Sequence, residues 1–431
     1  MQKQGEIAFN VVDETNIIES SSAAACPCSK AAQRTLFFDS LRYLFQGAFD
    51  TEFCTVILLM ACQLWGITTK IKVVIVSVAF LSMVLTPITQ QLAKRSRWNN
   101  MQVSALYFAL VGTAFFCGAF ATSWGTFFFF MIIARIFDKQ QIPLMIKVYC
   151  DNYPRTCRGF RVGTALACMP IGGIIFSQLI GGVLGKDPGH LCYALLLASF
   201  LALMCAVCFL KIPAQKAPTG RHRPLWINFR IITRDRLFVG ILCLYSLVAI
   251  ANQMTLPLRV EYLADHRRGL GVSYGTILAI FAVIQPLASI ISGPFWGKLY
   301  DHVSLITMRQ CVTVCFLIGI PLFFATDNIN TIYLASILLG IGRSGGVIFW
   351  SLWVSGIAPR KKISEYMSAN TAVMGLRDAL APLFGYILLE CAGPWTVGLT
   401  AFILLTISLL GFESLQRHPA YTKRISDIKN N

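Results

Sequence analysis

The sequence predicts an all-α, polytopic membrane protein with twelve transmembrane helices in two pseudo-symmetric six-helix bundles. Apolar stretches of about 20 residues recur along the chain, and each is long enough to cross a hydrocarbon core about 30 Å thick. The composition agrees, because 56% of the 431 residues are hydrophobic and only 13% are charged, with a mean hydropathy of +0.64. Soluble globular proteins carry about 25% charged residues. The third observation is an internal repeat.

Each predicted span is an apolar stretch bounded by short polar connections. The spans are 41–66, 72–93, 101–121, 125–149, 160–184, 191–211, 237–262, 273–297, 304–325, 331–356, 366–390 and 394–412. They divide the chain into an N-terminal tail (1–34), an N-terminal bundle (35–211), a linker (212–236), a C-terminal bundle (237–412) and a C-terminal tail (413–431). The linker is rich in proline and basic residues and has no long apolar run.

The repeat relates the two predicted bundles. Residues of the first half recur in the second at an almost constant offset, which indicates internal duplication. Two matched hydrophobic halves predict a cleft between them that can open to either side of a membrane, as in a transporter. The matched pairs are Ser82–Ser289, Pro87–Pro294, Leu92–Leu299, Gln46–Gln253 and Glu52–Arg259 at an offset of 207, and Arg135–Arg343 at 208.

Basic residues concentrate on one predicted side of the membrane. Of the 37 Lys and Arg residues, 26 fall on the predicted inner side, Arg42 among them, 5 on the outer side and 6 within spans. By the positive-inside rule this predicts that both tails are cytoplasmic. The formal net charge of +17 therefore reports topology rather than nucleic-acid binding. We expect a multi-pass protein of a cell inner membrane or plasma membrane.

The sequence shows no sign of an enzyme or of a bound cofactor. It has no Gly-x4-Gly-Lys-Ser/Thr loop for nucleotide phosphates, and no nucleophile–base or metal-binding constellation. Most of the fifteen cysteines fall inside predicted spans, where a thiol acts as a small apolar filler. Cys26 and Cys28 stand alone, without a second ligand pair for a metal. Residues 1–34 show no removable signal peptide.

Ionisable residues inside predicted spans are the candidates for function, because a charge at the bilayer centre costs about 2.5–3.5 kcal/mol. Glu52 lies near the middle of the first span. Asp50 points about 200° away from it around a helix. In the fourth span, Arg135, Asp138 and Lys139 follow i, i+3, i+4 spacing and share one face. Each of these groups either contacts the substrate or a coupling ion, or forms a structural ion pair.

The second half supplies the remaining candidates. Arg343 corresponds to Arg135, and we expect the two to meet across the central cleft, where their planar guanidinium groups suit a carboxylate or phosphate. The alternative is that each pairs with a local acid. Trp350 shares the stripe of Arg343. Arg377 and Asp378 lie mid-span in the eleventh span, and Gln253 is a neutral hydrogen-bonding candidate in the seventh.

These features resemble the major facilitator superfamily of secondary transporters, over about residues 38–412. That family carries a Gly-x-Leu-x-Asp-Arg-type elbow after its second and eighth helices. The later copy here reads Gly297-Lys298-Leu299-Tyr300-Asp301-His302, and the earlier one reads Gln90-Gln91-Leu92-Ala93-Lys94-Arg95. The resemblance implies that Asp301 latches the cytoplasmic side, whereas Lys94 replaces the acid and cannot act in the same way. Lys94, Arg95, Asp301 and His302 are the gating candidates.

The family's proton-coupled drug antiporters often follow the arginine of the fourth helix with Gln and Gly at +3 and +4. Here Asp138 and Lys139 occupy those positions. We therefore predict a monomeric secondary active transporter that moves a small polar, preferentially anionic, solute by alternating access, with a proton or cation as the coupling ion. The alternatives are a proton-coupled multidrug efflux antiporter and a transport-inactive receptor with the same fold.

Overall fold

The computed structural model describes residues 29–47, 80–96, 98–179, 190–214, 234–264, 270–273, 276–277 and 279–430, and no strand occurs among them. The helices are α1 (Lys30–Gly47), α2 (Thr86–Arg95), α3 (Asn100–Ala119), α4 (Trp124–Asp138), α5 (Ile142–Asn152), α6 (Arg158–Leu179), α7 (Leu191–Lys211), α8 (Arg236–Ala264), α9 (Gln285–His302), α10 (Leu305–Phe324), α11 (Ile329–Ile357), α12 (Ile363–Arg417) and α13 (Pro419–Asn430). Short 3₁₀ turns precede α2, α6 and α12, and a π-helical turn precedes α9.

The predicted all-α membrane fold is confirmed. Within the described residues, eight helices are long and apolar enough to cross a membrane. One of them, α12, covers both the eleventh and the twelfth predicted spans. It is divided at Gly393, whose φ of 82° lies in the left-handed region that glycine adopts without strain. This break falls between the predicted ranges 366–390 and 394–412.

Both ends of the described chain are more helical than the hydropathy pattern indicates. The first span was predicted to begin at residue 41, but α1 begins at Lys30, because its first turns bury polar rather than apolar side chains. At the other end, α13 lies within the predicted tail. The Arg424 guanidinium anchors it, donating to the Ile357 carbonyl at 3.1 Å and pairing with Asp235 at 2.8 Å.

The fourth predicted span, 125–149, is broken. Helix α4 ends at Asp138, a turn follows, and α5 begins at Ile142. Pro143 stands in the first turn of α5, where its missing N–H is harmless but its ring prevents the helix from continuing unbroken from α4. The break leaves Asp138 and Lys139 at a helix end, beside the carbonyl groups that this end exposes.

The two halves pack as separate bundles and meet along a limited set of helices. In the first half α1 packs on α6 and α7, and α3 packs on α4 and α7. In the second half α8 packs on α12, and α10 and α9 pack on α11. Between the halves, α6 packs on α9, while α12 packs on α2 and α5.

Equivalent positions of the repeat make equivalent hydrogen bonds. The Ser82 hydroxyl donates to the Arg135 carbonyl at 3.2 Å, and its counterpart Ser289 donates to the Gly340 carbonyl at 2.8 Å. In each half this bond joins the second or eighth helix to the helix that carries the central arginine. The internal duplication inferred from the sequence is therefore visible in the side-chain contacts.

Glycines allow α6 and α9 to approach closely at one end of the molecule. A Cβ at Gly159 would lie 2.5 Å from the Gly297 carbonyl oxygen, and one at Gly297 would lie 2.6 Å from that of Gly159. Small residues four apart permit this backbone contact between membrane helices. The connections 153–157, 303–304 and 358–362 lie at this end, which we call the elbow side. The two halves are in contact on the elbow side.

We expect Gly297→Ala to destabilise the protein, because the added methyl group overlaps backbone atoms that cannot rotate away. Overpacking of this kind costs about 1–3 kcal/mol, which should appear as a fall in the melting temperature of the purified protein in detergent. The control is Gly346→Ala, where the nearest atom to an added Cβ is 3.8 Å away. Equal melting temperatures for the two variants would contradict the close contact.

Candidate functional site

The structure describes all of the candidate residues except Asp50 and Glu52, which lie outside the described residues. Arg135, Asp138 and Lys139 lie at the end of α4. The others are distributed over the second half: Gln253 is half-buried on α8, Arg343 and Trp350 are on α11, and Arg377 and Asp378 are on α12.

The centre of the first half contains a buried ion pair on α1. The Arg42 guanidinium donates from Nε and Nη2 to Asp39 Oδ1 at 2.9 and 2.7 Å. Both side chains are 0% exposed. The second carboxylate oxygen of Asp39 accepts from the Tyr149 hydroxyl at 2.8 Å. The guanidinium also stacks on the Tyr43 ring, 3.7 Å from its centroid.

Gln46 extends this pair to α4. It accepts from Arg42 Nη1 at 2.6 Å and donates to Asp138 Oδ1 at 3.2 Å. The other oxygen of Asp138 lies 2.8 Å from Lys139 Nζ and 3.7 Å from Arg135 Nη1. The result is one connected set of buried charges, which we call the α1–α4 network: Asp39, Arg42, Gln46, Arg135, Asp138 and Lys139.

The α1–α4 network keeps its charges paired. Breaking a buried pair costs about 3–5 kcal/mol, because the remaining charge is left without compensation. Asp138 joins the two parts of the network, because its carboxylate contacts two cations and an amide at the broken end of α4.

The second half presents a different arrangement around Arg259. This guanidinium is 2% exposed and donates from Nη2 to Asn252 Oδ1 at 2.9 Å and to Thr255 Oγ1 at 2.7 Å. Both acceptors are neutral. Its Nε has no partner among the described residues. The charge that acts on it is another positive one, that of Arg343.

Two neutral donors, on α9 and α11, lack acceptors. Arg343 is exposed on α11, Gln285 on α9 is 4% exposed, and Trp350 lies one heptad beyond Arg343. Within the described residues, Gln285 Nε2 and Trp350 Nε1 are buried donors without an acceptor. Buried donors normally find acceptors. We group Asn252, Arg259, Gln285, Arg343 and Trp350, on α8, α9 and α11, under the name C-half cluster.

Arg377 and Asp378 bind each other, with a distance of 2.8 Å from Arg377 Nε to Asp378 Oδ1. Both are almost fully buried. The Tyr245 ring separates Arg377 from a second buried cation, Arg309, and their guanidinium carbons lie 5.3 and 4.5 Å from its centroid. This geometry agrees with the alternative that Arg377 and Asp378 form a structural ion pair.

The two arginines expected to converge have different environments. Arg135 is 5% exposed and lies beside Asp138, which agrees with the alternative that each arginine pairs with a nearby acid. Arg343 is exposed and lies near another arginine. The convergence of Arg135 and Arg343 across a cleft stays a prediction, and Arg343 instead lies near enough to Arg259 for their charges to interact.

The later elbow closes onto α6. The backbone N–H groups of Gly159 and Phe160 donate to the two carboxylate oxygens of Asp301 at 2.6 and 2.8 Å. These amides belong to the first turn of α6, whose N–H groups lack partners within the helix and whose dipole favours a negative charge. Asp301 therefore caps a helix of the opposite half. His302 is exposed and bonds within its own helix, to the Lys298 carbonyl.

The earlier elbow closes with inverted charges. Lys94 Nζ lies 2.6 Å from Glu365 Oε1, in the first turn of α12. Lys94 and Asp301 are 207 residues apart, and each contacts the first turn of a helix that follows a 3₁₀ turn, α12 for Lys94 and α6 for Asp301. The first elbow therefore places a lysine against a carboxylate, whereas the second places a carboxylate against backbone N–H groups. Arg95 lies next to Lys94 and is partly exposed.

Sequence reasoning missed three parts of these sites. Arg42 was counted as a charge of the inner loops, yet it is fully buried on α1, and its partner Asp39 was not considered. The i, i+3, i+7 spacing of Asp39, Arg42 and Gln46 was the available signal. Glu365 is recognisable from its place in the repeat. Arg259 was noted as a charge within a span and as the counterpart of Glu52. Its neutral hydrogen-bond partners, Asn252 and Thr255, are decided by three-dimensional packing.

Among the described residues, no group of three or more His, Cys, Asp or Glu side chains is arranged to hold a metal ion.

Comparison with protein families identifies a match over most of the chain. The family model described as the Major Facilitator Superfamily matches residues 65–286 and 241–430. Two fungal proteins are similar over 103 residues, or 24% of this chain: the MFS-type transporter gkaD of Penicillium citrinum, at 26% identity, and the efflux pump DEP3 of Fusarium langsethiae, at 24%. These matches span 18% and 19% of the two proteins' lengths.

Solved structures of transporters share the fold. The human organic anion transporter MFSD10 superposes with a TM-score of 0.69 at 15% identity, over 88% of this chain and 99% of its own. The transporter FucP in its outward conformation gives 0.69 at 13%, over 90% and 99%. The proton:xylose symporter XylE gives 0.68 at 12%, over 90% and 95%.

We expect Asp39→Asn to destabilise the protein strongly, because the fully buried Arg42 charge loses its counter-ion. The expected loss is about 3–5 kcal/mol, measured as a large fall in melting temperature. Asp151→Asn is the matched control, since Asp151 is exposed and should tolerate the same change. If Asp39→Asn melts no lower than Asp151→Asn, the pair does not carry this stability.

We expect a charge exchange to preserve the first elbow. Lys94→Glu or Glu365→Lys alone places like charges together and should cost about 1 kcal/mol, a modest value because the lysine is partly solvated. The double variant Lys94→Glu with Glu365→Lys should recover most of the loss. A double-mutant cycle on thermal unfolding measures the coupling, and strictly additive single effects would show that the pair does not interact.

Proposed function

The chain belongs to the major facilitator superfamily, and on that premise we propose that it is a secondary active transporter that carries a small anionic solute by alternating access. The observation that supports an anion is the C-half cluster. Arg259 is almost fully buried with neutral hydrogen-bond partners, beside a second arginine. A carboxylate or phosphate would complement the positive charge of these two guanidinium groups.

The remaining members of the cluster suit the rest of such a solute. Gln285 Nε2 and Trp350 Nε1 offer donors that an anion or a hydroxyl group can satisfy. The Trp350 ring adds an apolar face against which carbon atoms of the solute pack. A small polar solute with one anionic group therefore fits this set of side chains better than an amphipathic cation does.

The α1–α4 network supports the proposal that transport is coupled to a proton. Asp138 is held by Gln46, Lys139 and Arg135 at the break between α4 and α5. Protonation would weaken its hold on both cations and change how α4 is tied to α1. Two structural neighbours, FucP and XylE, are described as proton symporters, which is consistent with this coupling.

The contact between the halves on the elbow side supports a carrier that is closed there. With the elbow side in the cytoplasm, as the distribution of basic residues indicates, solute would enter the cleft from the opposite side. We propose a monomer in a cell inner membrane or plasma membrane, with both termini cytoplasmic. The bundles would rock about the central cleft once the elbow contacts separate.

A second candidate is proton-coupled efflux of amphipathic compounds. It is favoured by the similarity to a protein named as the efflux pump DEP3 and by the buried carboxylate of Asp138. In this case the C-half cluster would serve structure rather than substrate binding. A receptor that retained the fold without transport would bind solute but show no flux.

We expect Arg343→Gln to abolish counterflow of a labelled anion in reconstituted vesicles, screened with carboxylates and phosphates. Loss of one charge-assisted hydrogen bond costs about 1.5–3 kcal/mol, or about 10- to 150-fold in transport efficiency at limiting solute. The control is Arg417→Gln, because the Arg417 side chain is 79% exposed and its pair with Glu413 lies at the surface.

The two candidate functions give different results in this assay. An anion carrier loses anion counterflow in Arg343→Gln and keeps it in Arg417→Gln. An efflux antiporter exports a cationic dye equally well in both variants. If both variants transport every tested anion as the wild type does, the C-half cluster does not bind the solute.

A further inference from the structure

A cavity of about 490 Å³ opens on the elbow side, at the boundary between the two halves. The first half contributes the end of α5 and the connection to α6, and the second half contributes the turn before α12. The charged side chains that line it are Lys147, Asp151, Arg155, Arg158 and Arg360. Four cations therefore share one cavity with a single carboxylate. We call it the elbow pocket.

The internal repeat accounts for this concentration of charge. Pro154-Arg155 recurs 205 positions later as Pro359-Arg360. Each dipeptide leads into a 3₁₀ turn, Arg155–Cys157 in one half and Arg360–Lys362 in the other. Both arginines line the same pocket. The pocket is assembled from both halves only where they meet on the elbow side.

One of the cations is buried with an unused donor. Arg158 is 7% exposed and donates from Nη2 to the carbonyls of Cys150 and Tyr153 at 3.3 and 3.2 Å. Its Nε has no partner within the described part of the chain. A guanidinium fixed by two backbone carbonyls, with a further donor unsatisfied, is oriented before any ligand arrives.

We propose that the elbow pocket binds a phosphate group, held by Arg155, Arg158, Arg360 and Lys147. Guanidinium groups match the geometry of phosphate oxygens, and lysine adds a point charge. A bound phosphate relieves the repulsion among the four cations and connects the two halves, which stabilises the arrangement that is closed on the elbow side. A soluble phosphorylated compound and a phospholipid headgroup both supply this group.

The proposed site is separate from the C-half cluster and does not depend on which solute is transported. The cluster residues Arg259 and Arg343 lie on α8 and α11, within the second half. The elbow pocket lies at the connections between helices. Variants of the two sites therefore give independent results.

Inorganic pyrophosphate is the soluble probe, titrated against the melting temperature of the full-length protein in a neutral detergent. We expect pyrophosphate to stabilise the wild type and Arg360→Gln to raise its apparent Kd about tenfold or more. Lys361→Gln is the matched control, because Lys361 is the next residue of the same turn, carries the same charge and does not line the pocket. Arg343→Gln should bind pyrophosphate as the wild type does.

A second arm identifies the source of the phosphate. The protein is placed in nanodiscs of phosphatidylcholine with or without phosphatidic acid, and the same variants are compared. Stabilisation by pyrophosphate supports a soluble ligand, and stabilisation by phosphatidic acid alone supports a lipid headgroup, provided that Arg360→Gln removes it. The proposal is overturned if neither probe stabilises the wild type, if Lys361→Gln weakens binding as much as Arg360→Gln, or if Arg343→Gln alone abolishes it.

Discussion

The backbone contact between α6 and α9 is the constraint on which the rest of the elbow side depends. Gly159 and Gly297 let two membrane helices from different halves approach so closely that neither position has room for a Cβ. Beside this contact the carboxylate of Asp301 accepts from the first amides of α6, and at the other boundary Lys94 pairs with Glu365. A larger side chain at either glycine would push the two helices apart and strain these polar contacts.

The two halves, although related by duplication, hold their cations differently. In the first half, Asp39 and Asp138 neutralise Arg42 and Lys139. In the second half, Asp378 neutralises Arg377, whereas Arg259 has neutral hydrogen-bond partners and lies near Arg343. The repeat therefore keeps helix contacts in common while the charges around them differ.

The fold could be predicted from the sequence because the hydropathy of each segment and the repeat between the halves can be recognised without knowing which helices pack together. The same reasoning separated the eleventh and twelfth spans at Gly393. It missed the break before Pro143 because the polar residues 138–141 were interpreted as one face of a continuous span rather than as an interruption followed by a proline. The α1–α4 network was missed because α1 begins with polar residues, and a hydropathy scale treats Asp39 and Arg42 as loop residues even when they neutralise each other. Which charged side chains pair with each other depends on which helices pack together, and the sequence of one segment does not determine that packing.

The two elbow latches differ in their exposure to solvent ions. Asp301 is held by backbone amides inside the helix contact, whereas the Lys94 side chain is 32% exposed and its attraction to Glu365 passes partly through water. Dissolved electrolyte attenuates such an attraction, with a Debye length of about 8 Å at physiological ionic strength. The Lys94–Glu365 contact therefore weakens as the salinity of the adjoining compartment rises, whereas the backbone hydrogen bonds of Asp301 depend less on it.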